Sequence, residues 1–322
     1  TGDLLDIRFQ DEGRHKKPGG IYWLQTASTT VAQTVFGVSP NVIAPYRLPS
    51  QLGALGAVLA FFAFARRLTG QNTAFWAALL LAPCLLLAVE ARIAKTDALL
   101  SCLVVLQQGG LGLLYQRFRQ GLPAKGGRPA RAVFWTAMGL GILVKGPILP
   151  VLAITTLLAL RWPGKARGFL FSHVRPFPWL TVPLLLAGPW LWAVQNATDG
   201  AFLRESVGHD FLGKLKEGQE SHGAPPGMYL LLSPLLLWPS SLLVLPALRH
   251  WRVLRGEPAA VFCLAWIVPF WVLLELTPTK LPHYLLPLAP PLCLLAAMVL
   301  CRHSQPFPAG QGSWGRLWAL WQ

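Results

Sequence analysis

Charged residues are scarce in this chain: they make up 13% of its 322 residues, whereas 53% are hydrophobic. The sequence also lacks a CxxC pair, and its five cysteines lie in or beside apolar runs, so neither a disulfide framework nor a zinc site is predicted. It contains no internal repeat, no glycine-rich nucleotide-binding motif and no low-complexity tail. A composition this apolar lies far outside the range of soluble domains and indicates an integral membrane protein.

Long apolar runs recur along the chain. A helix needs roughly 17 to 25 residues to cross about 30 Å of hydrocarbon, and runs near this length are typical of membrane spans. The runs are rich in Leu and Ala without period-two alternation, which favours helices over a closed barrel. We therefore predict an all-α fold, a polytopic transmembrane helical bundle with interfacial helices in its outer loops. The nine runs cover residues 48–65, 73–91, 98–116, 131–146, 147–161, 178–195, 227–248, 258–276 and 282–301.

The predicted organisation has three parts. Residues 1–46 form an outer, periplasmic loop with an interfacial helix. Residues 47–301 form the transmembrane domain of about nine spans, which includes an outer loop at 196–226. Residues 302–322 form a cytoplasmic loop and the start of a further span. Because the sequence begins in a polar stretch and stops within an apolar one, we expect it to be a fragment at both ends.

The charges sort onto two faces of the predicted bundle. The net charge of +15 could suggest nucleic-acid binding, but that function needs a basic patch on a soluble surface, and here the charges lie between spans. Assigning alternate loops to one side collects fifteen cations against one acid, Glu257, which marks that face as cytoplasmic. The opposite face holds twelve cations and twelve acids. Topology does not require these outer charges, so they are candidates for function.

The first outer segment is FQDEGRHKKPGGIYWLQTAS. It carries His15, Lys16 and Lys17 before a Pro-Gly-Gly turn and the aromatic residues Tyr22 and Trp23. Cations followed by an aromatic belt suit an anionic lipid headgroup. The alternative is a solvated loop.

Two further segments place ionisable residues where a span should already be in lipid. In EARIAKTDALL, Arg92, Lys95 and Asp97 share one short connection. Asp97 is well placed as a helix N-cap, which would need no catalytic role, but two neighbouring cations suit a phosphate site better than a cap. In GILVKGPILP, Lys145 and Gly146 mark a junction between two helices, and the alternative for Lys145 is a lysine that snorkels to the interface.

The outer loop at 196–226 has amphipathic periodicity from Phe202 to Leu215, as expected of a helix lying along the membrane surface. His209, Asp210 and His222 could meet around a divalent metal, although their spacing is a weak signal. No other cofactor is predicted.

The last outer segment is LTPTKLPHYLLPLAPP. Lys280 precedes His283 and Tyr284, which again puts a cation and an aromatic ring at the lipid boundary.

In this order, the motifs resemble those of the GT-C superfamily of polyprenyl-phosphate-sugar glycosyltransferases, in particular the bacterial lipid A aminoarabinose transferases and the protein O-mannosyltransferases. Members read "GDW..PRF.GE....KPP..YWL" where this chain has TGDLLDIRFQDEGRHKKPGGIYWLQ, and "AR.A..D.LL" where it has ARIAKTDALL. A TKGP break matches VKGP, and "S.SKLPTYILP..PP" matches TPTKLPHYLLPLAPP. The resemblance covers roughly residues 1–300. A "PW......F...H......H..P..YYL" pattern also matches Pro189-Trp190, His209, His222, Pro226 and Tyr229.

The resemblance implies roles position by position. Asp97 matches the second acidic position and is the predicted catalytic residue, while Lys17 matches the lysine that contacts the carrier phosphate. Gly19 replaces the second proline of the usual Lys-Pro-Pro. The family's principal catalytic Asp motif precedes GDW and lies outside this sequence. The predicted substrate-binding set, for the carrier phosphate or the acceptor, comprises Lys17, Arg92, Lys95, Lys145, His222, Lys280 and Tyr284.

The implied activity is transfer of a hexosyl or pentosyl group from a polyprenyl-phosphate carrier to an outward-facing acceptor, either lipid A or lipopolysaccharide, another envelope glycan, or a protein. Displacing the sugar leaves a phosphate, whose negative charge fixed cations would stabilise. The expected partners are the lipid-linked sugar, the acceptor and membrane lipids, with no nucleic acid. The expected location is the bacterial inner membrane, with the site facing the periplasm. The alternative is a transporter or flippase of lipid-linked sugars, which predicts inverted repeats and broken helices near mid-bilayer.

Overall fold

The computed structural model describes residues 17–161, 166–206 and 223–303, together with residues 5, 7–9, 12, 13, 208 and 213. Helices dominate this part of the chain. Ahead of them, β1 (Arg8–Phe9) and β2 (Glu12–Gly13) form a two-residue antiparallel pair. The helices are α1 (Gly20–Phe36), α2 (Ala44–Thr69), α3 (Gln71–Leu81), α4 (Leu85–Ala91), α5 (Asp97–Arg119), α6 (Arg128–Lys145), α7 (Ile148–Arg161), α8 (Pro176–Trp179), α9 (Thr181–Ala197), α10 (Ala201–Leu203), α11 (Met228–Leu236), α12 (Ser241–Arg249), α13 (Pro258–Leu276) and α14 (Ala289–His303).

Each of the nine apolar runs of the sequence coincides with one helix or with a broken pair of helices. Their apolar side chains suit contact with lipid, and the helical conformation pairs their backbone polar groups within the segment. Among the described residues, five segments are long and apolar enough to cross a membrane, and α3 with α4, bent by 64°, makes a sixth. The predicted all-α, polytopic class is therefore confirmed, while the nine spans and the three-part division stay predictions. The five segments are Ala44–Thr69, Asp97–Arg119, Leu170–Ala197, Pro258–Leu276 and Pro282–Arg302.

Helix α5 is the centre of the bundle and packs against α2, α6, α7 and α13. Of its apolar stretch 78% is buried, against 22% for Leu170–Ala197. The contact with α2 depends on Gly53, because a Cβ there would lie 2.5 Å from the Leu99 Cα. Leu99 lies in the first turn of α5, so this close approach fixes the outer end of the helix.

Hydrogen bonds join the turns of two interrupted helical segments. The turn between α3 and α4 lies against the turn between α11 and α12, where regular helical bonding is interrupted. Unpaired backbone groups are costly away from water, so a bond across the two breaks stabilises both. Three hydrogen bonds join them: Leu85 N–H to Trp238 O at 2.6 Å, Cys84 Sγ to Leu236 O at 3.4 Å, and Ser240 Oγ to Leu80 O.

The end of the bundle that the sequence assigns to the cytoplasm carries its own charged contacts. Arg131 is fully buried and donates to His173 O at 2.7 Å and to Ala124 O at 3.1 Å, so backbone carbonyls rather than an acid satisfy its guanidinium. At the exposed surface, Arg302 donates to Glu257 Oε1 at 2.8 Å. Arg302 lies in the last turn of α14, about 20 Å along the helix from its first residue at the 1.5 Å rise of an α-helix.

Candidate active site

Asp97 and Lys145 form a buried ion pair at the outer end of the bundle. Lys145 Nζ donates to Asp97 Oδ1, and the two side chains are 17% and 4% exposed. Asp97 is the first residue of α5, with Thr96 at the N-cap position and no side chain capping the helix. Gly146, at φ 66°, ends α6 directly after Lys145 and turns the chain into α7. The predicted helix junction is confirmed, and the carboxylate of Asp97 is engaged with a lysine rather than with the helix amides.

Two aromatic rings complete this pair from a distant segment. His283 Nε2 lies 3.9 Å from Asp97 Oδ1, and Lys145 Nζ lies 5.3 Å from the centre of the Tyr284 ring. The His283 and Tyr284 rings meet edge to face, with their centres 4.9 Å apart. An ammonium over an aromatic face is attracted to it, so Tyr284 helps to hold Lys145 in place.

The position of these rings depends on Tyr229 of α11, which is fully buried. Its hydroxyl donates to Leu281 O at 3.1 Å and accepts from Leu281 N–H at 3.1 Å. Both backbone groups of Leu281 are thereby fixed directly before the 3-10 helix Pro282–Leu288, which carries His283. This hydroxyl is therefore a positioning element for the site.

More charges surround the pair. Lys17 interacts electrostatically with Asp97 and His283, and Lys95 interacts with His283. The backbone of Lys95 is held by Ser50 of α2, whose buried hydroxyl donates to Lys95 O at 2.9 Å. Segments far apart in sequence thus bring their ionised groups close to one another.

Glu90 also belongs to this cluster. Its side chain lies in the last turn of α4, is 4% exposed, and interacts electrostatically with Lys17, Lys95 and Lys145. The motif pattern marked Glu90 only as part of a charged stretch and gave it no role. Its signal in the sequence is an acid inside the apolar run 73–91, where an ionisable group is costly in lipid.

Two other predicted site residues, Lys280 and Arg92, contact backbone carbonyls of their own segments. Lys280 is 3% exposed and its Nζ donates to Glu275 O at 2.8 Å and Thr277 O at 2.5 Å, so it caps the end of α13. Arg92 is exposed and donates to Ala88 O at 3.2 Å, within its own helix end. The substrate-binding role of both residues stays a prediction.

His222, His209 and Asp210 lie outside the described residues, and the predicted interfacial helix at 202–215 lies mostly outside them. The chain directly after His222 is placed, because Gly223 pairs with Thr279 and Ala224 N–H donates to Pro278 O at 3.2 Å. Within the described part of the chain, no three His, Cys, Asp or Glu side chains come together as a metal site. The possible divalent metal therefore stays a prediction.

The chemistry available here is anion binding. Lys145 and the carboxylates of Glu90 and Asp97 share a largely buried space, where electrostatic interactions are stronger than in water, whereas Lys95 is exposed. A carboxylate held by an ammonium is a weak base, so Asp97 is better suited to orient groups than to remove a proton. Lys145 still has two donors beyond its bond to Asp97 with which to meet an anionic oxygen.

Comparison with known proteins finds curated relatives that match more than nine-tenths of this chain. No family model matches the chain. It is 28% identical over 306 residues to the undecaprenyl phosphate-alpha-4-amino-4-deoxy-L-arabinose arabinosyl transferase of Pseudomonas paraeruginosa, a match that covers 93% of this chain and 52% of the relative. It is 24% identical over 304 residues to an uncharacterized protein of Aquifex aeolicus, covering 92% and 55%. The chain thus spans about half the length of the curated relatives it matches.

Solved structures share the fold. ArnT from Cupriavidus metallidurans, bound to undecaprenyl phosphate, matches with a TM-score of 0.82 at 23% identity, over 98% of this chain and 54% of that one. The oligosaccharyltransferase AglB from Archaeoglobus fulgidus, in complex with an inhibitory peptide and a dolichol-phosphate, matches with a TM-score of 0.52 at 14% identity, over 96% and 46%. The fold expected from the motifs is therefore confirmed: the chain is a polytopic helical membrane protein of the GT-C type, and its relatives include the bacterial aminoarabinose transferases.

Proposed function

We propose that the protein to which this chain belongs is a membrane glycosyltransferase, which moves a sugar from a polyprenyl-phosphate carrier to an outward-facing acceptor. The observation that carries the proposal is the buried Asp97–Lys145 pair with His283, Tyr284 and Lys17 around it. A GT-C-type bundle supplies the setting, and the names of the curated relatives supply the reaction class.

The charge of the cluster suits a lipid-linked sugar phosphate. In the described part of the chain, three lysines (Lys17, Lys95 and Lys145) surround two carboxylates (Glu90 and Asp97), which leaves one positive charge. A polyprenyl phosphate sugar is a phosphodiester with one negative charge. When the sugar leaves, the phosphate gains a second negative charge, and fixed cations stabilise that change more than they stabilise the bound donor.

The reaction breaks the bond between the sugar C1 and the phosphate oxygen, whose electron pair stays on the phosphate. An acceptor oxygen forms the new bond to C1. An acceptor hydroxyl must lose its proton, whereas an anionic phosphate acceptor has none to lose. In this proposal Lys145 contacts the departing phosphate, and Asp97 fixes the direction of that ammonium and is the catalytic-site carboxylate. Tyr284 supports Lys145 from the ring face.

The relatives suggest the finer assignment. The first donor to test is undecaprenyl phosphate linked to 4-amino-4-deoxy-L-arabinose, the sugar in the relatives' name, and transfer of this sugar would be pentosyl transfer. The first acceptor to test is lipid A, which the motif resemblance implies. The cluster lies at the opposite end of the bundle from the arginine-rich loops, and the positive-inside rule supports a periplasmic position for it in the inner membrane.

The test is transfer by the purified full-length protein in liposomes, read as the mass increase of lipid A. The wild type is expected to form product, and Lys145→Met is expected to lower kcat/KM by about 100- to 1,000-fold, because a preorganised donor to the developing charge is lost. Arg302→Met is the matched control, since it breaks an exposed ion pair at the far end of the bundle and should stay within about twofold of wild type.

Two results would overturn the proposal. One is wild-type protein that moves the lipid-linked sugar across the bilayer without forming product, which would identify a flippase. The bent α3–α4 pair makes this control necessary, because broken helices are also a feature of transporters. The other is a Lys145→Met enzyme with wild-type kcat/KM.

A further inference from the structure

Glu90 has a carboxylate oxygen that the protein does not satisfy. The side chain is 4% exposed, and among the described residues Oε2 is buried without a hydrogen-bond partner. An unpaired buried acceptor costs free energy, and a charged one costs more. Such a group in a folded protein calls for an explanation beyond packing.

The neighbouring lysines do not provide that partner. Lys17, Lys95 and Lys145 interact with Glu90 electrostatically, but Lys145 directs its ammonium to Asp97 instead, and none of them donates to Oε2. The charge of Glu90 is therefore balanced while its hydrogen bonding is not. This leaves an acceptor in the same buried space as the proposed phosphate site.

The group that suits this oxygen is a cation that also donates a hydrogen bond. A neutral hydroxyl donor could be met by an uncharged acceptor, without burying a carboxylate. An ammonium forms a charge-assisted bond, which is roughly twice as strong as a neutral one. Without Glu90, an ammonium in this space would face three lysines and only Asp97, so the carboxylate also reduces repulsion.

We infer that Glu90 is a specificity-determining residue whose Oε2 accepts a hydrogen bond from a protonated amino group on the transferred sugar, an inference that rests on the proposed function. The residue selects amino sugars over their hydroxyl counterparts. It takes no part in breaking the bond to phosphate.

The test compares two donors that differ at one position of the sugar: undecaprenyl phosphate linked to 4-amino-4-deoxy-L-arabinose, and undecaprenyl phosphate linked to L-arabinose. Full-length wild type and Glu90→Gln are purified in detergent, and the Kd of each donor is measured separately from transfer to lipid A. Glu90→Gln is expected to weaken binding of the amino donor by about 10- to 100-fold and to raise its KM in proportion. Binding of the hydroxyl donor should not weaken, because the variant removes no contact to that sugar and leaves the cluster more positive toward the phosphate.

The matched control is Glu257→Gln, which removes an exposed carboxylate at the far end and should leave both Kd values unchanged. Glu90→Gln is close in shape, and a melting temperature near that of wild type shows that it folds. An equal loss for both donors, or no loss for either, overturns the inference. Wild-type protein that prefers the amino donor in binding but transfers neither sugar overturns the proposed function, while a selective loss of amino-donor binding in Glu90→Gln would still show that Glu90 binds the amino group.

Discussion

Removing one partner of the Asp97–Lys145 pair should lower the free energy of unfolding by more than the removal of both partners does. Lys145→Met leaves the Asp97 carboxylate, which is 4% exposed, without its hydrogen-bonded cation. Losing one partner of a buried pair typically costs about 3–5 kcal/mol. The expected loss of unfolding free energy here is about 2–3 kcal/mol, because Lys145 is itself 17% exposed and Lys17 still interacts with the Asp97 carboxylate.

A double-mutant cycle isolates this effect. Asp97→Asn alone leaves a lysine without its partner, whereas Asp97→Asn with Lys145→Met leaves no charge at either position. The coupling free energy should therefore be about 2 kcal/mol, with the double variant more stable than the sum of the singles predicts. The assay is unfolding of the full-length protein in mixed micelles with increasing SDS, followed by tryptophan fluorescence.

The same cycle on Glu257 and Arg302 provides the comparison. That pair is about half exposed on both sides, and such pairs contribute about 0–1 kcal/mol. A coupling below about 0.5 kcal/mol at Asp97 and Lys145, or one equal to that of the exposed pair, would refute the reasoning. It would mean that the two side chains do not meet in the folded protein, and the site would lose its central contact.

Two further predictions concern packing and Lys280. Gly53→Ala should destabilise the protein by about 1–3 kcal/mol, because the added Cβ would overlap the Leu99 backbone. The control is Gly188→Ala, which should be neutral or slightly stabilising because its Cβ meets nothing within 4 Å. Equal melting temperatures for the two variants would contradict the close contact. Lys280→Met should lower the free energy of unfolding by about 1–2 kcal/mol through the loss of two carbonyl contacts at the end of α13, with the donor KM close to wild type; a raised KM at unchanged stability would show instead that Lys280 binds substrate.

The sequence alone was sufficient to predict the fold class and the place of the main cluster. Apolar runs define the helices because a span in lipid has few alternatives to helix, so the composition carries most of the information. Asp97 and Lys145 stood out for the same reason, since each interrupts or adjoins an apolar run where a charge is costly. Lys17 stood out instead because it precedes two aromatic residues and matches a lysine of the resembling family.

Which atoms meet could not be predicted in the same way. The motifs present Lys145 and Lys280 alike, as single lysines near the end of an apolar run. In the structure, however, Lys145 contacts a carboxylate, whereas Lys280 contacts backbone carbonyls of its own segment. That difference depends on which groups the fold brings next to each lysine, and the sequence pattern does not contain this information. The break between α3 and α4 and the break between α11 and α12 could not be predicted from the sequence either. Contacts between residues more than 150 positions apart stabilise them.

Helix polarity separates Glu90 from the other charges at the site. Asp97 lies at the N-terminus of α5, and Lys145 and Lys280 lie at the C-terminal ends of α6 and α13, so each has the sign that the helix dipole favours. Glu90 lies in the last turn of α4, where free carbonyls already present negative charge, and a buried carboxylate there has the wrong sign. Local physics therefore explains three of these charges without any ligand. The helix dipole disfavours the fourth charge, that of Glu90. A residue that its local structure disfavours, and that does not stabilise the fold in return, is expected to have a function.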